Sequence, residues 1–172
     1  YTFVDWDTAA DGSGTNYLPA ATFGMPASAV VLFAQWTLDT YTITYTLDGG
    51  TNDVANPASY TVLTPTITLQ PATKAGYTFG GWYSDAGFTT PVTQILVGST
   101  GNVTLYAKFT AVYPVTYNGN GSTGGTVPVD GSSPYTVGAT VTVLGNTGGL
   151  TRTGYTFVDW DTAADGSGTN YL

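Results

Sequence analysis

The chain has 172 residues, and only fourteen of them carry a formal charge: eleven Asp, two Lys and one Arg, with no Glu, His or Cys. That palette excludes thiol nucleophiles, disulfides, Cys/His zinc sites, imidazole bases and glutamate acid/base pairs. A net charge of −8 with three basic residues also excludes nucleic-acid binding, which depends on Lys and Arg neutralising phosphates, and a polybasic membrane patch.

In chain order, residues 1–18 (YTFVDWDTAADGSGTNYL) read as a strand carrying Tyr1, Phe3 and Trp6, followed by an Asp/Gly turn. Residues 20–29 are long enough for a short helix, although Pro26 limits it. Val30, Leu32, Ala34 and Trp36 alternate as one face of a strand, and the short link Thr37-Leu38-Asp39-Thr40 leads to a second strand. There Ile43, Tyr45 and Leu47 point one way and Thr42, Thr44 and Thr46 the other, before the turn Asp48-Gly49-Gly50. A Tyr-Thr-Val segment at 60–62 and the block GYTFGGW at 76–82 follow, then a second helix candidate at about 90–98. Val103, Leu105, Ala107 and Phe109 form one face of a closing strand, linked through Thr110-Ala111 to the next stretch. That stretch contains the turn Asn118-Gly119-Asn120-Gly121, a second Tyr-Thr-Val at 135–137, Val141 and Val143 alternating with Thr140 and Thr142, and a final turn at Asp165-Gly166. Thr, Tyr and Val favour strands, so the fold class is mainly β or small α+β with at most one short helix or turn per repeat. No apolar run approaches the roughly 18 residues a membrane span needs, so no membrane insertion is expected in this segment.

The strongest signal is internal repetition. Residues 155–172 repeat residues 1–18 letter for letter, at an offset of 154. A shorter period runs between them: GYTFGGWYSDAGF at 76–88 aligns with GYTFVDWDTAADG at 154–166, placing Trp82 on Trp160. VLFAQW (31–36) aligns with TLYAKF (104–109), and TITYTLDGGT (42–51) with PVTYNGNGST (114–123). These matches define a repeat module of about 70–78 residues. Residues 41–110 form one complete copy, 1–37 the C-terminal part of another, and 111–172 the N-terminal part of a further one.

The block Lys/Arg-x-Gly-Tyr-Thr-Phe-x-Gly-Trp, followed by an Asp-rich turn and a Leu-Tyr-Ala-Lys-Phe ending, resembles the Listeria–Bacteroides repeat, or internalin-B-type B repeat. Gly76 to Phe79, Gly81, Trp82 and Leu105 to Phe109 carry the match centrally, and Arg152 with Gly154 to Trp160 carry it later. Asp5 and Asp159 depart from it, standing where the family usually has Gly before Trp. The resemblance implies tandem, β-grasp-like modules on large secreted or surface-attached prokaryotic proteins. It implies an extracellular stalk or adhesive role and brings no catalytic residues or cofactor.

Three constellations carry other chemistries. Asp5, Asp7 and Asp11, repeated as Asp159, Asp161 and Asp165, precede a Gly and invite a calcium reading. The spacing is not that of the twelve-residue calcium loop and no bidentate Glu closes it, so a solvated hairpin is expected, with Trp6 and Trp160 inward and Asp5 and Asp7 outward. The central copy has only Asp85 there. Lys74 and Lys108, with Gln35, Gln70 and Gln94, are the residues an isopeptide or ester crosslink would use, although no Glu is present to move its protons. The repeated aromatics Phe3, Trp6, Phe79, Trp82, Phe157 and Trp160 would suit a glycan platform, but their fixed place in every copy argues for core packing. Tyr1, Tyr77 and Tyr155 complete those triplets, and three such spacings share one strand face only if a bulge intervenes; otherwise one ring is exposed. Asn102-Val103-Thr104 and Asn120-Gly121-Ser122 fit the glycosylation acceptor pattern.

No catalytic, cofactor-binding or metal-binding residue is assigned. Residues 1–37 supply what 111–154 lacks, so the missing strands are expected from the same chain folding back or from a neighbour, with 155–172 and 1–18 competing for one position. Donation between chains would run head to tail. The expected function is therefore a stalk, spacer or fibre-forming unit whose partner is itself, the alternative being an adhesin-type module for a glycan or host protein.

Overall fold

The computed structural model describes residues 1–171, and among them every regular element is a β-strand. The mainly β expectation holds, and the short helices do not form. Residues 91–92 and 94–95 enter two short strands instead, and 20–29 has no regular structure. Thr and Val crowd the first of these stretches, and χ1-branched side chains fit a pleated surface better than a helix.

Two compact units divide the chain, one made of Tyr1–Ala72 with Gly81–Lys108, the other of Thr73–Gly80 with everything from Phe109 onward. In the first, β1 (Thr2–Asp7) lies between β2 (Asn16–Tyr17) and β3 (Phe33–Thr37), antiparallel to both. Phe3 faces Trp36 and Trp6 faces Ala34, so Val4 and Asp5 on β1 stand against Gln35 alone on β3. This bulge puts Phe3 and Trp6 on one face, where their rings meet edge-on at 5.3 Å.

The same unit holds β4 (Tyr41–Thr46), β5 (Ser59–Tyr60), β6 (Ile67–Thr68), β8 (Pro91–Val92) and β9 (Gln94–Ile95), with the start of β10 (Val103–Tyr113) and the end of β7 (Tyr77–Tyr83). Strand order in the main sheet is β5-β4-β10-β7-β8, and β6 pairs β9 separately. β10 runs parallel to β4, with Val103 opposite Ile43 and Leu105 opposite Tyr45. A strand with neighbours on both sides is buried on alternate residues, and Leu105 and Ala107 are 0% and 3% exposed. Ile43, Tyr60, Leu69, Ala72, Trp82 and Ile95 are buried with them.

In the second unit, β10 continues without interruption to Tyr113, so the expected link at Thr110-Ala111 lies inside a strand. Its last residues pair with β11 (Tyr135–Thr136), and β12 (Trp160–Asp161) pairs with β13 (Asn170–Tyr171). Val141 and Val143 keep their alternating burial but form no strand, a correction to the expected pairing. Residues 114–119 and 156–159 are likewise outside any ladder, although the aligned residues 42–47 and 78–81 lie almost wholly within β4 and β7.

Candidate assembly site and acidic hairpins

β1 carries its carboxylates on the face opposite Trp6, as alternation requires, but the expected exposure is inverted. Asp5 and Asp7 are 6% and 0% exposed, whereas Trp6 is 40% exposed. The cause is the hairpin after β1, which folds its backbone over the carboxylates. Asp7 Oδ1 accepts hydrogen bonds from the N–H groups of Ala9 (2.5 Å) and Gly14 (3.0 Å), and Asp5 Oδ2 accepts one from Asn16 Nδ2 at 2.9 Å. In the identical copy, Asp161 Oδ1 accepts from Ala163 (2.6 Å) and Gly168 (3.0 Å). Gly14 and Gly168 make this closure feasible, because a Cβ at either would collide with the Asp oxygen it caps and with a Thr hydroxyl.

Asp11 and Asp165 take a different job. Each accepts from the hydroxyl of Ser13 or Ser167 at 2.7 Å and from the same residue's N–H. The serine hydroxyl bond, then the backbone bond, holds each carboxyl below the ordinary Asp value. Asp85 closes the central hairpin by accepting from Thr89 and Thr90, and those bonds, led by Thr90, lower it as well. Among the described residues, no three carboxylates converge as a cation would require. One oxygen each of Asp5, Asp7 and Asp161 is buried without a hydrogen-bond partner.

The crosslink and glycan candidates have structural positions too. Lys74 Nζ sits 4.2 Å from the Tyr77 ring centre, and Lys108 Nζ 5.5 Å from that of Tyr83. Gln35 Nε2 donates to the Ala9 carbonyl, and the Gln70 backbone joins the Trp82 environment. Asn102, an acceptor-pattern residue, uses its side-chain oxygen to hold the N–H of Thr42 at 2.9 Å, while Asn120 Nδ2 donates to the Ala164 carbonyl at 2.8 Å.

The repeated Trp reports how complete its surroundings are. Trp82 is 3% exposed, packs edge-on against Tyr45 at 5.2 Å, and donates its Nε1–H to the Gln70 carbonyl. Trp160 is half-buried, against Tyr117 at 4.8 Å, and donates to the Leu144 carbonyl at 2.7 Å. Trp6 meets the Phe3 ring edge-on, and the neighbouring Trp36 is 59% exposed. Beside Trp160 opens a groove of about 980 Å³, lined by Val115, Tyr117, Val143, Leu150, Phe157 and Trp160 among others. Aligning PVTYNGNGST with TITYTLDGGT marks Tyr117 as the counterpart of Tyr45; the carbonyls that receive the indoles, those of Gln70 and Leu144, close the similar runs TITLQ and TVTVL.

Comparison with known proteins agrees with these correspondences. The Listeria-Bacteroides repeat domain matches residues 41–108 and 113–172, and the divergent InlB B-repeat domain matches residues 1–40. Internalin H of Listeria monocytogenes is 39% identical over 114 residues, 64% of this chain and 19% of that protein. A protein of Evansella cellulosilytica named "Putative Gly-rich membrane protein" is 36% identical over 123 residues, 70% of this chain and 14% of that protein. The chain thus spans about a fifth or less of the length of these relatives. No solved structure matches it. With two matches that together cover well over half of its length, the chain belongs to the Listeria–Bacteroides repeat family.

Proposed function

We propose that the chain is a structural, non-enzymatic segment of a prokaryotic extracellular or cell-surface protein, a stalk, spacer or fibre-forming unit that associates head to tail with copies of itself. In this reading 1–37, 41–110 and 111–172 are parts of successive modules. The observation that carries it is the tandem family match over 41–108 and 113–172, in which Trp82 and Trp160 make equivalent indole-to-carbonyl bonds. Tandem modules of this kind are stabilised in part by their neighbours. The location draws on relatives such as internalin H and on a chain whose cysteine-free, acidic composition suits a soluble exterior segment.

An adhesin-type module for a glycan or host protein is the second reading, favoured by the exposed rings of Trp6 and Trp36. Light scattering across a concentration series separates the two when combined with a glycan array. Mass that grows with concentration and no array signal is the expected result. A strict monomer that retains a glycan would turn the assignment to the adhesin.

A further inference from the structure

The central copy, residues 41–110, has chain on both sides of it, and its first and last strands are neighbours. β10 runs parallel to β4, with Val103 opposite Ile43, Thr104 opposite Thr44, Leu105 opposite Tyr45 and Tyr106 opposite Thr46. A parallel pair needs a crossover that brings the chain back to the same end of the sheet. The chain therefore enters at the start of β4 and leaves from the far end of β10. Tension along it draws β4 backwards and β10 forwards, parallel to the ladder between them. In that direction the ladder's hydrogen bonds share the load and fail together, whereas a pull at right angles breaks them one at a time.

We infer that the β4–β10 ladder is a force-bearing clamp, the element through which this repeat transmits tension without unfolding. This rests on the stalk reading above and adds the bonds that carry the load. The surroundings of the ladder suit that task. β4 is held on its other side by β5 and β10 by β7, so neither strand is an edge that peels away. Ile43 and Leu105 are buried, which keeps water, the competitor for each bond, off that face of the ladder. Tyr45, opposite Leu105, is anchored in turn, its hydroxyl donating to the Pro57 carbonyl at 3.0 Å and its ring meeting Trp82 edge-on.

Load reaches β4 at Tyr41, and there a side chain extends the ladder. Asn102, the residue before β10, accepts a hydrogen bond from the Thr42 N–H through its Oδ1 at 2.9 Å. Thr42 comes just before the paired residues, so this bond sits at one of the two ends where a shear load concentrates. The buried Tyr60 reinforces the same end. It faces Tyr41 across the β4–β5 ladder, and its hydroxyl donates to the Gly101 carbonyl at 2.6 Å. Both bonds join the start of β4 and its neighbour to the segment that leads into β10, the parts that tension would separate.

The chain has no native cysteine, so paired cysteines can carry the handles of a single-molecule force measurement on the full chain. Thr40, Thr100 and Thr110 are all exposed, and none of these substitutions disturbs a core. Thr40→Cys with Thr110→Cys loads the ladder in shear. Thr40→Cys with Thr100→Cys is the peeling control, because the register puts both residues just outside the same end of the ladder. Forced unfolding reads the unfolding barrier, and the rupture force between 40 and 110 is expected to be at least about twofold that between 40 and 100 at one loading rate. Asn102→Ala is expected to lower the force between 40 and 110, and Asn102→Asp, which keeps an acceptor oxygen for Thr42, to restore it. Equal forces in the two geometries, or a weaker pull between 40 and 110, overturn the clamp and leave standing the stalk reading, which scattering and the glycan array decide. A force between 40 and 110 that Asn102→Ala leaves unchanged, or that Asn102→Asp does not restore, overturns the part given to Asn102.

Discussion

Trp82 donates its indole N–H to the backbone carbonyl of Gln70 at 2.9 Å, fixing the central Trp to a peptide rather than to another side chain. Trp160 repeats the bond with Leu144 at 2.7 Å. Burial deepens from Trp6 through Trp160 to Trp82. Truncation costs should follow the same order, because a buried ring loses both transfer energy and packing. Trp82→Ala should cost about 3–5 kcal/mol, Trp160→Ala less, and Trp6→Ala about 1 kcal/mol. Calorimetric unfolding of the three variants checks it, and a Trp6 variant as damaged as the Trp82 one would contradict the exposed placement of Trp6.

Asn56 holds the other side of the same peptide. Its Oδ1 accepts from the Gln70 N–H at 2.7 Å and its Nδ2 donates to the Gln70 carbonyl at 2.9 Å and to Asn52 Oδ1 at 2.8 Å. The side chain is buried, so Asn56→Ala strands a donor that water reaches poorly, at a cost of about 1–3 kcal/mol. The Gln70 amide should then exchange faster while amides of β12 and β13 keep their rates. Unchanged protection at Gln70 would show that its N–H has another partner.

How much of this was legible in the sequence differs by residue. Alternation placed Leu105 and Ala107 on the buried face, and the spacing of Phe3 and Trp6 called for either a bulge or an exposed ring, of which β1 has the bulge and Trp6 is also 40% exposed. The same alternation put Asp5 and Asp7 opposite Trp6 but could not say which face was covered, since that is decided by the hairpin backbone folding onto Asp7. The Asp that replaces Gly before Trp has a local cause as well. Gly81 sits at φ 116, whereas Asp5 and Asp159 are outside the left-handed region, so the backbone before the Trp differs between the copies. Short strands such as β8 and β9 were misread because two-residue pairings leave too few positions for periodicity to show.

Gly14 and Gly168 test the hairpin closure. A methyl at either runs into the Asp oxygen and the Thr hydroxyl that the loop wraps, so each Gly→Ala change should open the hairpin at a cost of about 1–3 kcal/mol. Gly131→Ala is the control, as no atom lies within 4 Å of its Cβ position, and it should be neutral or slightly stabilising. Solvent exchange at Ala9 and Ala163 reads the opening locally. Gly14→Ala without loss of stability or protection would mean that the carboxylate cap is dispensable.

Acid and base should act on opposite edges of one stability plateau. Asp85 is lowered chiefly by the Thr90 N–H, Asp130 chiefly by the Tyr135 hydroxyl, and Asp11 and Asp165 by their serines. A depressed carboxyl contributes fully above its unfolded value, about 3.9, and the contribution is lost as pH falls through the lower folded values. Tyr45 and Tyr60 are raised by burial, and Tyr135 by its bond to Asp130. Raised groups contribute fully below the unfolded tyrosine value, about 10, and lose that contribution as pH rises through the folded ones. With no His or Glu in the chain, no side chain has an ordinary value between pH 5 and 7. Denaturant midpoints should therefore be flat across that window, fall below about pH 4 and fall again above about pH 10. Asp130→Asn should shallow the acid limb and remove the Tyr135 share of the alkaline one. A midpoint that shifts between pH 5 and 7, or an alkaline limb unmoved by that substitution, would show that the Asp130–Tyr135 pair does not carry the linkage.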